Sequence, residues 1–461
     1  MNKIILFATL LILASGCLVG PKYSRPETKS PVEYIQTAAH TDSITNLKWW
    51  EVYQDTVLQS LIKQALNENL DLMAAVSRVE EAQAALGYNK ANLGPSIGYQ
   101  AGARATDTRE ISSEAGVTFP GNSYNVMGNV SWEIDIWGKL RHANRAAYAE
   151  LMAADEDRQS VYISLVAQVA ELYFQLRGLD DRISITRRTY ESRKEFHHII
   201  LLRFEKGEVA ELDALQAEQI MAGSESELYR LERQIIIIEN ALNVLLAQPY
   251  TPIARGQANS QQLLPVEIPS GLPSELLERR PDIRFAEQQL IAQTERIGVA
   301  VAMRFPSLSL TGFLGVASPD ISSLFDPGAF AGSITGQLAG PLFEWGKNKR
   351  RVEVERARAQ QAGFLYEKTV LLSFAEVENS LAEIRTYRNE HNARNMQVNA
   401  NTKALMLSKA LYDNGYTSFL QVLDAERELF DSQLQESLAL ENELRSVVRL
   451  YKALGGGWEV H

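Results

Sequence analysis

The chain carries its plan twice. Asp71, Gly87, Pro95 and Ser96 recur, in the same order and spacing, as Asp282, Gly298, Pro306 and Ser307, 211 positions later. Trp137-Gly138-Lys139 returns as Trp345-Gly346-Lys347 at an offset of 208. That second offset also relates Phe204, Gly207, Leu212, Leu215, Ala217 and Glu218 to Tyr412, Gly415, Leu420, Leu423, Ala425 and Glu426. One such match could be chance, but three blocks in register read as an internal repeat. Each half is predicted to run helix, strand, loop, strand, long helix, turn, helix. The change of offset makes the loop near 104–122 three residues longer than its counterpart.

The strands decide the class. Over 124–136, Tyr124, Val126, Val130, Trp132, Ile134 and Ile136 alternate with Asn125, Asn129, Ser131, Glu133 and Asp135. Over 307–316, Leu308, Leu310, Leu314 and Val316 alternate with Ser307, Ser309 and Thr311, and shorter runs at 96–103 and 330–340 do the same. Successive side chains on a strand point to opposite faces, so each segment has one greasy and one polar face. About ten residues of such alternation matches a membrane-barrel strand. A half-buried strand on a soluble core is the alternative, but the surroundings are helical and offer no second sheet. Trp132, Tyr99 and Trp137 suit the membrane–water boundary. Four strands cannot close a barrel, and an open edge in lipid leaves backbone groups unpaired. The chain is therefore expected to share a barrel with copies of itself.

The helices are long. Nothing stops a helix from Gly138 to Lys206, or from Gly346 to Asn414, and at ~1.5 Å per residue each could reach roughly 100 Å. Val370, Phe374, Val377, Leu381 and Ile384 repeat by four and three, the seam of helices packed side by side. Gly207 and Asn414-Gly415 supply reversals. In the first half the return path is split into about 210–247, a Pro-rich interruption at 249–273, and about 274–304. The expected fold is a mixed α/β membrane protein: a tall helical wall capped at one end by strands.

The N-terminus supplies an address. Met1-Asn2-Lys3 and the apolar Ile4 to Leu13 form a secretory signal over 1–16, too short to remain as a spanning helix. Leu13-Ala14-Ser15-Gly16-Cys17 resembles a bacterial lipobox, so Cys17 is expected to be acylated, and Leu18 in place of Asp favours the outer membrane. Several acyl chains would anchor the protein where one binds marginally. Pro21, Pro26 and Pro31 then punctuate an extended tether. Domain boundaries follow as 17–54 for tether and equatorial segment, 55–250 for the first repeat, 251–272 for a linker, and 273–461 for the second repeat.

Much chemistry is not indicated. The net charge of −11 argues against a general nucleic-acid binder. Cys17 is the single cysteine among 461 residues, which removes internal disulfides and cysteine-rich metal sites. His197 and His198 are adjacent and would diverge on a helix. Gly455-Gly456-Gly457 follows a helix rather than opening one, so it lacks the geometry that cradles phosphate. No nucleophile elbow, Walker motif or Cys–His pairing is present. Neither an enzyme nor a cofactor is expected, beyond the covalent lipid on Cys17. The many Glu and Asp residues on helices read as a solvated face.

Leu272-Pro273-Ser274-Glu275-Leu276-Leu277-Glu278-Arg279-Arg280-Pro281-Asp282-Ile283, the strand start Phe305-Pro306-Ser307 and the ending Tyr451-Lys452-Ala453-Leu454-Gly455-Gly456-Gly457-Trp458 resemble the OprM-like lipoprotein branch of TolC-type outer-membrane efflux channels. The resemblance covers Cys17 to about Trp458. It implies a homotrimer with a twelve-stranded outer-membrane barrel, a twelve-helix periplasmic barrel and an equatorial girdle. It also implies work with a periplasmic adaptor and an inner-membrane pump, often of the resistance–nodulation–division class. Demand for several copies comes from the strands; the number three comes from the resemblance.

The same resemblance assigns two regions. Leu420-Gln421-Val422-Leu423-Asp424-Ala425-Glu426-Arg427 matches the stretch that narrows the periplasmic aperture, with Leu420, Asp424 and Arg427 in place. Residues three and four apart share a helical face, so symmetry copies would set a ring of leucines beside a ring of carboxylates. A plain surface ion pair is the competing reading. Arg203-Phe204-Glu205-Lys206-Gly207 fits the tip that meets the adaptor, with Arg203, Phe204 and Gly207 matching. The second tip keeps Tyr412, Asn414 and Gly415 but has Leu411 where arginine is expected. Two other functions compete: a channel for type I protein secretion, and a non-transporting periplasmic coiled-coil scaffold. The scaffold leaves the two-faced strands unexplained.

Overall fold

A computed structural model describes residues 18–27, 54–104, 122–262 and 273–456. Cys17, the signal segment, the loop 105–121, residues 263–272 of the linker and Trp458 lie outside the described residues. The elements in chain order are α1 (Thr56–Glu68), α2 (Leu70–Ala91), β1 (Ser96–Arg104), β2 (Ser123–Ile134), α3 (Lys139–Glu205), α4 (Glu211–Leu245), α5 (Pro273–Arg279), α6 (Pro281–Ala302), β3 (Ser307–Ser318), β4 (Phe330–Ala339), α7 (Lys347–Asp413) and α8 (Phe419–Ala453). The repeat is visible in the backbone: β1 and β3 start at the paired serines, and α3 and α7 start at the paired lysines. Gly138 and Gly346, just before those helices, share φ +81°. No described helix is long and apolar enough to cross a membrane.

The chain forms two compact units that cut across the repeat. The first gathers Ser77–Glu156 and Phe285–Lys368 with the stretch ending at Glu27; the second contains Asp157–Arg284, the stretch after Glu27 that ends at Val76, and the residues from Thr369 onward. Each unit thus draws on both halves of the sequence.

In the first unit the four strands form one antiparallel sheet in the order β1-β2-β3-β4. The register pairs Ile97 with Val130, Tyr99 with Gly128 and Ala101 with Val126. It continues with Trp132 opposite Leu310 and Val126 opposite Val316, then Leu308 opposite Leu338 and Gly312 opposite Ile334. Every large apolar residue of the alternating pattern falls on one face, and Gln100, Asn125, Asn129, Thr311 and Gln337 fall on the other. Gly315 is required by a close approach, since a Cβ there would stand 2.6 Å from the Met127 Cα. Among the described residues the β1 and β4 edges are unpaired.

At the base of the sheet, the Trp132 indole donates to the Leu93 carbonyl at 3.0 Å. The Trp137 indole donates to the Pro306 carbonyl at 2.8 Å and stacks on Phe305 at 4.6 Å. These two rings are hydrogen-bonded at helix–strand junctions, while Tyr99 is exposed. The stretch 18–27 runs without helix or strand, as its prolines predict. Val19 N–H donates to the Trp137 carbonyl at 3.3 Å, and Glu287 accepts from Tyr23 and twice from Arg25 at 2.6–2.8 Å. His142 lies 2.5 Å from Glu295 and 3.0 Å from the Val19 carbonyl. Gly298 makes room for that ring, because a Cβ would stand 2.6 Å from its Cδ2.

The main core lies in the second unit. Leu58, Ile62, Ala65, Val169, Tyr173, Leu176, Leu242, Leu444 and Val448 pack into one buried cluster. Asp55 caps α1 through the amides of Val57 and Leu58. Its second oxygen accepts from Tyr173 Oη at 2.8 Å, from the Gln257 amide at 2.9 Å and from Gln262 at 3.1 Å. Burial pushes the Asp55 carboxyl up, but these donors outweigh it and hold it below the ordinary value.

Three expectations need correction. The helix expected over about 274–304 is broken at Arg280, because Pro281 disfavours helical angles in the residue before it. The helix before β1 is likewise two pieces, parted at Asn69, whose Nδ2 donates to the Leu245 carbonyl and whose Oδ1 caps Leu72. The acidic residues are not uniformly solvated: Glu239, Glu426, Glu441 and Glu443 are all buried. Each has an arginine within ion-pair distance, Arg255, Arg193, Arg182 and Arg388 respectively, which is what permits a buried charge.

Candidate functional site

The two helical reversals of the second unit use one backbone device. At the first, Gly207 N–H donates to the Phe204 carbonyl at 2.8 Å and Glu208 N–H to the Arg203 carbonyl at 2.9 Å. At the second, Gly415 N–H reaches Tyr412 and Tyr416 N–H reaches Leu411, both at 2.9 Å. This pairing satisfies two carbonyls orphaned at a helix end and needs a left-handed residue. Gly207 at φ +74° and Gly415 at +75° supply it. The backbones match but the side chains do not. Phe204 is exposed, whereas Tyr412 is half-buried with its ring 5.8 Å from Phe419. The repeat counterpart of Arg203 is Leu411. Asn414 donates to the Ala410 carbonyl at 2.7 Å and closes the last turn of α7.

The next helix, α8, begins at Phe419 and divides its first turns into two faces. Phe419, Val422, Leu423, Glu426 and Phe430 are buried, while Leu420, Asp424 and Arg427 are exposed together on the other side. Arg427 donates to Asp424 at 2.6 Å. An exposed pair of this kind contributes at most ~1 kcal/mol, so folding does not require these three residues.

Behind them the helix is held by contacts that no local motif announces. Phe419 packs 5.2 Å from Phe196 in an apolar cluster with Ile200, Ala214, Ala217 and Leu423. Arg193 is buried, donates to the Ile220 carbonyl at 3.1 Å, lies 4.9 Å over the Phe430 ring and stands 3.9 Å from Glu426. Burial lowers the Arg193 pKa against the opposing pull of Glu426 and Asp431. The only sequence signal for this support is Glu426, through its repeat partner Glu218.

Farther along, α8 is pinned on two sides. Glu443 accepts from Arg388 at 3.1 Å and contacts His391 at 2.9 Å, both on α7. Glu441 accepts from Arg182 on α3 at 2.8 Å and from Arg445 at 3.3 Å. Gly178 gives Glu441 its place, because a Cβ there would meet the Glu441 Cδ at 3.1 Å and Cβ at 3.2 Å. Arg280, from the sequence motif before α6, donates to Asp282 and to the Ala453 carbonyl at the end of α8. Among the described residues no cluster of three or more His, Cys, Asp or Glu could hold a metal ion.

A sheet greasy on one face, with both edge strands unpaired among the described residues, suits an outer-membrane channel subunit. The family described as outer membrane efflux protein matches residues 61–248 and 272–456. The chain is 33% identical to outer membrane protein OprJ of Pseudomonas aeruginosa over 98% of its own length and 95% of that protein. It is 32% identical to the solvent efflux pump outer membrane protein SrpC of Pseudomonas putida, over 98% and 97%. The solved outer-membrane channel OprN superposes with a TM-score of 0.89 at 30% identity, over 96% of this chain and 100% of that one. The chain belongs to the outer membrane efflux protein family. It is an outer-membrane efflux channel component, and this kinship favours efflux over type I secretion or a scaffold.

Proposed function

We propose that three copies form a passive duct, with twelve strands closing a barrel in the outer membrane and the helices continuing it through the periplasm. A resistance–nodulation–division pump in the inner membrane feeds it through a periplasmic adaptor, and acyl chains on Cys17 help anchor it to the outer membrane. The observation that carries this reading is the sheet: one continuous apolar face, one polar face and two unpaired edges. Such a sheet is stable in lipid only when copies close it. Relatives of similar identity are named for efflux of solvents and of cations, which supports a duct whose cargo is selected upstream, by the pump. The cargo class is small molecules or ions.

At the inner end, Leu420, Asp424 and Arg427 form the aperture. Three copies of an exposed leucine one turn from an exposed carboxylate give a dry constriction beside a charged one. Arg203, Phe204 and Gly207 of one tip and Tyr412, Asn414 and Gly415 of the other meet the adaptor. The test is the double variant Leu420→Ala, Asp424→Ala, reconstituted in planar bilayers and expressed in cells. Higher single-channel conductance and greater antibiotic leakage are expected. Unchanged conductance and leakage would remove the aperture from these residues.

A further inference from the structure

Resting on the multi-copy reading above, we infer that the internal repeat sets the register in which one copy joins the next: Leu342 opposite Ile97 of the partner subunit. The first half meets the second half inside each chain through a contact that is fully described. Ile134 pairs with Leu308, Trp132 with Leu310, Val130 with Gly312 and Gly128 with Leu314. The Trp137 indole reaches the Pro306 carbonyl beside them. The reciprocal contact, second half to first, is missing among the described residues, and the residues that would make it are exposed. Ile97 is 84% exposed, Tyr99 90%, Trp345 90%, and Leu342 is fully exposed.

Carrying β2 positions forward by 208 and β3 positions back by 211 converts the internal contact into the missing one. Ile134–Leu308 becomes Leu342 opposite Ile97 of the partner subunit. Trp132–Leu310 becomes Gly340 opposite Tyr99 of the partner subunit, a small residue against a large one. Val130–Gly312 becomes Leu338 opposite Ala101 of the partner subunit. The Trp137 hydrogen bond becomes one from the Trp345 indole to the carbonyl of Pro95 of the partner subunit. This register keeps the apolar face continuous across the seam; a slip by one residue would set Leu342 against the polar face. It also accounts for the length of β4. β2 runs to Ile134, whose counterpart is Leu342, yet β4 stops at Ala339. Residues 340–342, which would complete it, lack a strand partner until a second copy arrives.

Cysteine pairs in the full lipoprotein, oxidised in outer membranes and read on non-reducing gels after denaturation, test the register. Directly opposite residues lie about 4.5–5.5 Å apart at Cα, within disulfide reach; diagonal ones lie about 7–8 Å apart. Ile97→Cys with Leu342→Cys should give reducible covalent dimers and trimers, and single variants should not. Gln100→Cys with Ala339→Cys reads the same register from the polar face, should the first pair assemble poorly. Stronger cross-linking by Tyr99→Cys with Leu342→Cys, or with Leu338→Cys, would overturn the register while keeping the assembly. Detergent-stable trimers with no cross-link in any pair would overturn pairing along this edge. A wild-type protein that is monomeric would instead remove the assembly reading beneath it.

Discussion

Gly178 sits in the interior of α3, a 67-residue helix, where propensity and packing predict opposite outcomes for alanine. In an exposed helix interior, Gly→Ala stabilises by about 1 kcal/mol. Here the new methyl group would collide with the carboxyl end of Glu441, which is 2% exposed and accepts from Arg182 at 2.8 Å. The neighbour cannot swing into water without leaving a buried guanidinium unpaired, and breaking a buried pair costs about 3–5 kcal/mol. The net expectation for Gly178→Ala is a loss of roughly 2–4 kcal/mol after the propensity gain is subtracted. Gly223→Ala in α4 is the control, because nothing stands within 4 Å of its added Cβ, and it should be neutral or stabilising. Thermal unfolding of the detergent-solubilised protein, followed by circular dichroism at 222 nm, gives the ranking. Combining Gly178→Ala with Glu441→Ala should cost less than the two single changes summed, since the clash with the carboxyl group is gone and only the 3.2 Å approach to the residue 441 Cβ remains. A Gly178→Ala midpoint at or above wild type would refute the assignment of Glu441 as the constraint.

Other outcomes follow from single residues. Ala247 holds φ +52° at the end of α4, where its repeat counterpart Gly455 holds +67°, so Ala247→Gly should stabilise by about 0.5–1 kcal/mol and raise the unfolding midpoint. Asp55 has a depressed pKa in the folded chain, so its contribution is present above the ordinary carboxylate range and lost as pH falls through the folded value. An acid titration of stability should therefore be steeper for wild type than for Asp55→Asn below about pH 4; parallel curves would remove Asp55 from the linkage. Gly315→Ala places a methyl against the backbone of β2 and should abolish heat-modifiable oligomers in outer-membrane fractions, whereas Gly336→Ala, which meets nothing within 4 Å in the chain, should leave them.

The strands were legible because a period of two, sustained in four places, leaves a pattern that helices cannot mimic. Their observed bounds depart from the sequence reading by a few residues at most, as in β2, which stops at Ile134 rather than Ile136. The long helices were legible from the glycines that end them and the seam from Val370 to Ile384. The break at Arg280 was available in Pro281 but masked by the apolar periodicity on both sides. Glu441, Glu443 and Glu426 were not legible, because a glutamate on a long helix looks the same whether it faces water or an arginine from another helix. Gly178 was hidden for the same reason: its constraint is a side chain from the other end of the chain. In the candidate site, the family resemblance singled out Leu420, Asp424 and Arg427, and their spacing added only that they share a helical face; Arg193, behind them, has no spacing relation to them at all.

The anchorage of α8 has a mechanical consequence. Its two ends are gripped differently: short ion pairs at Glu441 and Glu443, and around Phe419 an aromatic seat beside the longer 3.9 Å approach of Arg193 to Glu426. The first kind of grip fixes an axis, and the second tolerates sliding. From Glu441 to Leu420 the arm is about 30 Å long at ~1.5 Å per residue, so a swing of about 5° about that fulcrum carries the leucine through roughly 3 Å. A rotation too small to disturb the charged grip would be enough to widen a narrow mouth by the width of an ion.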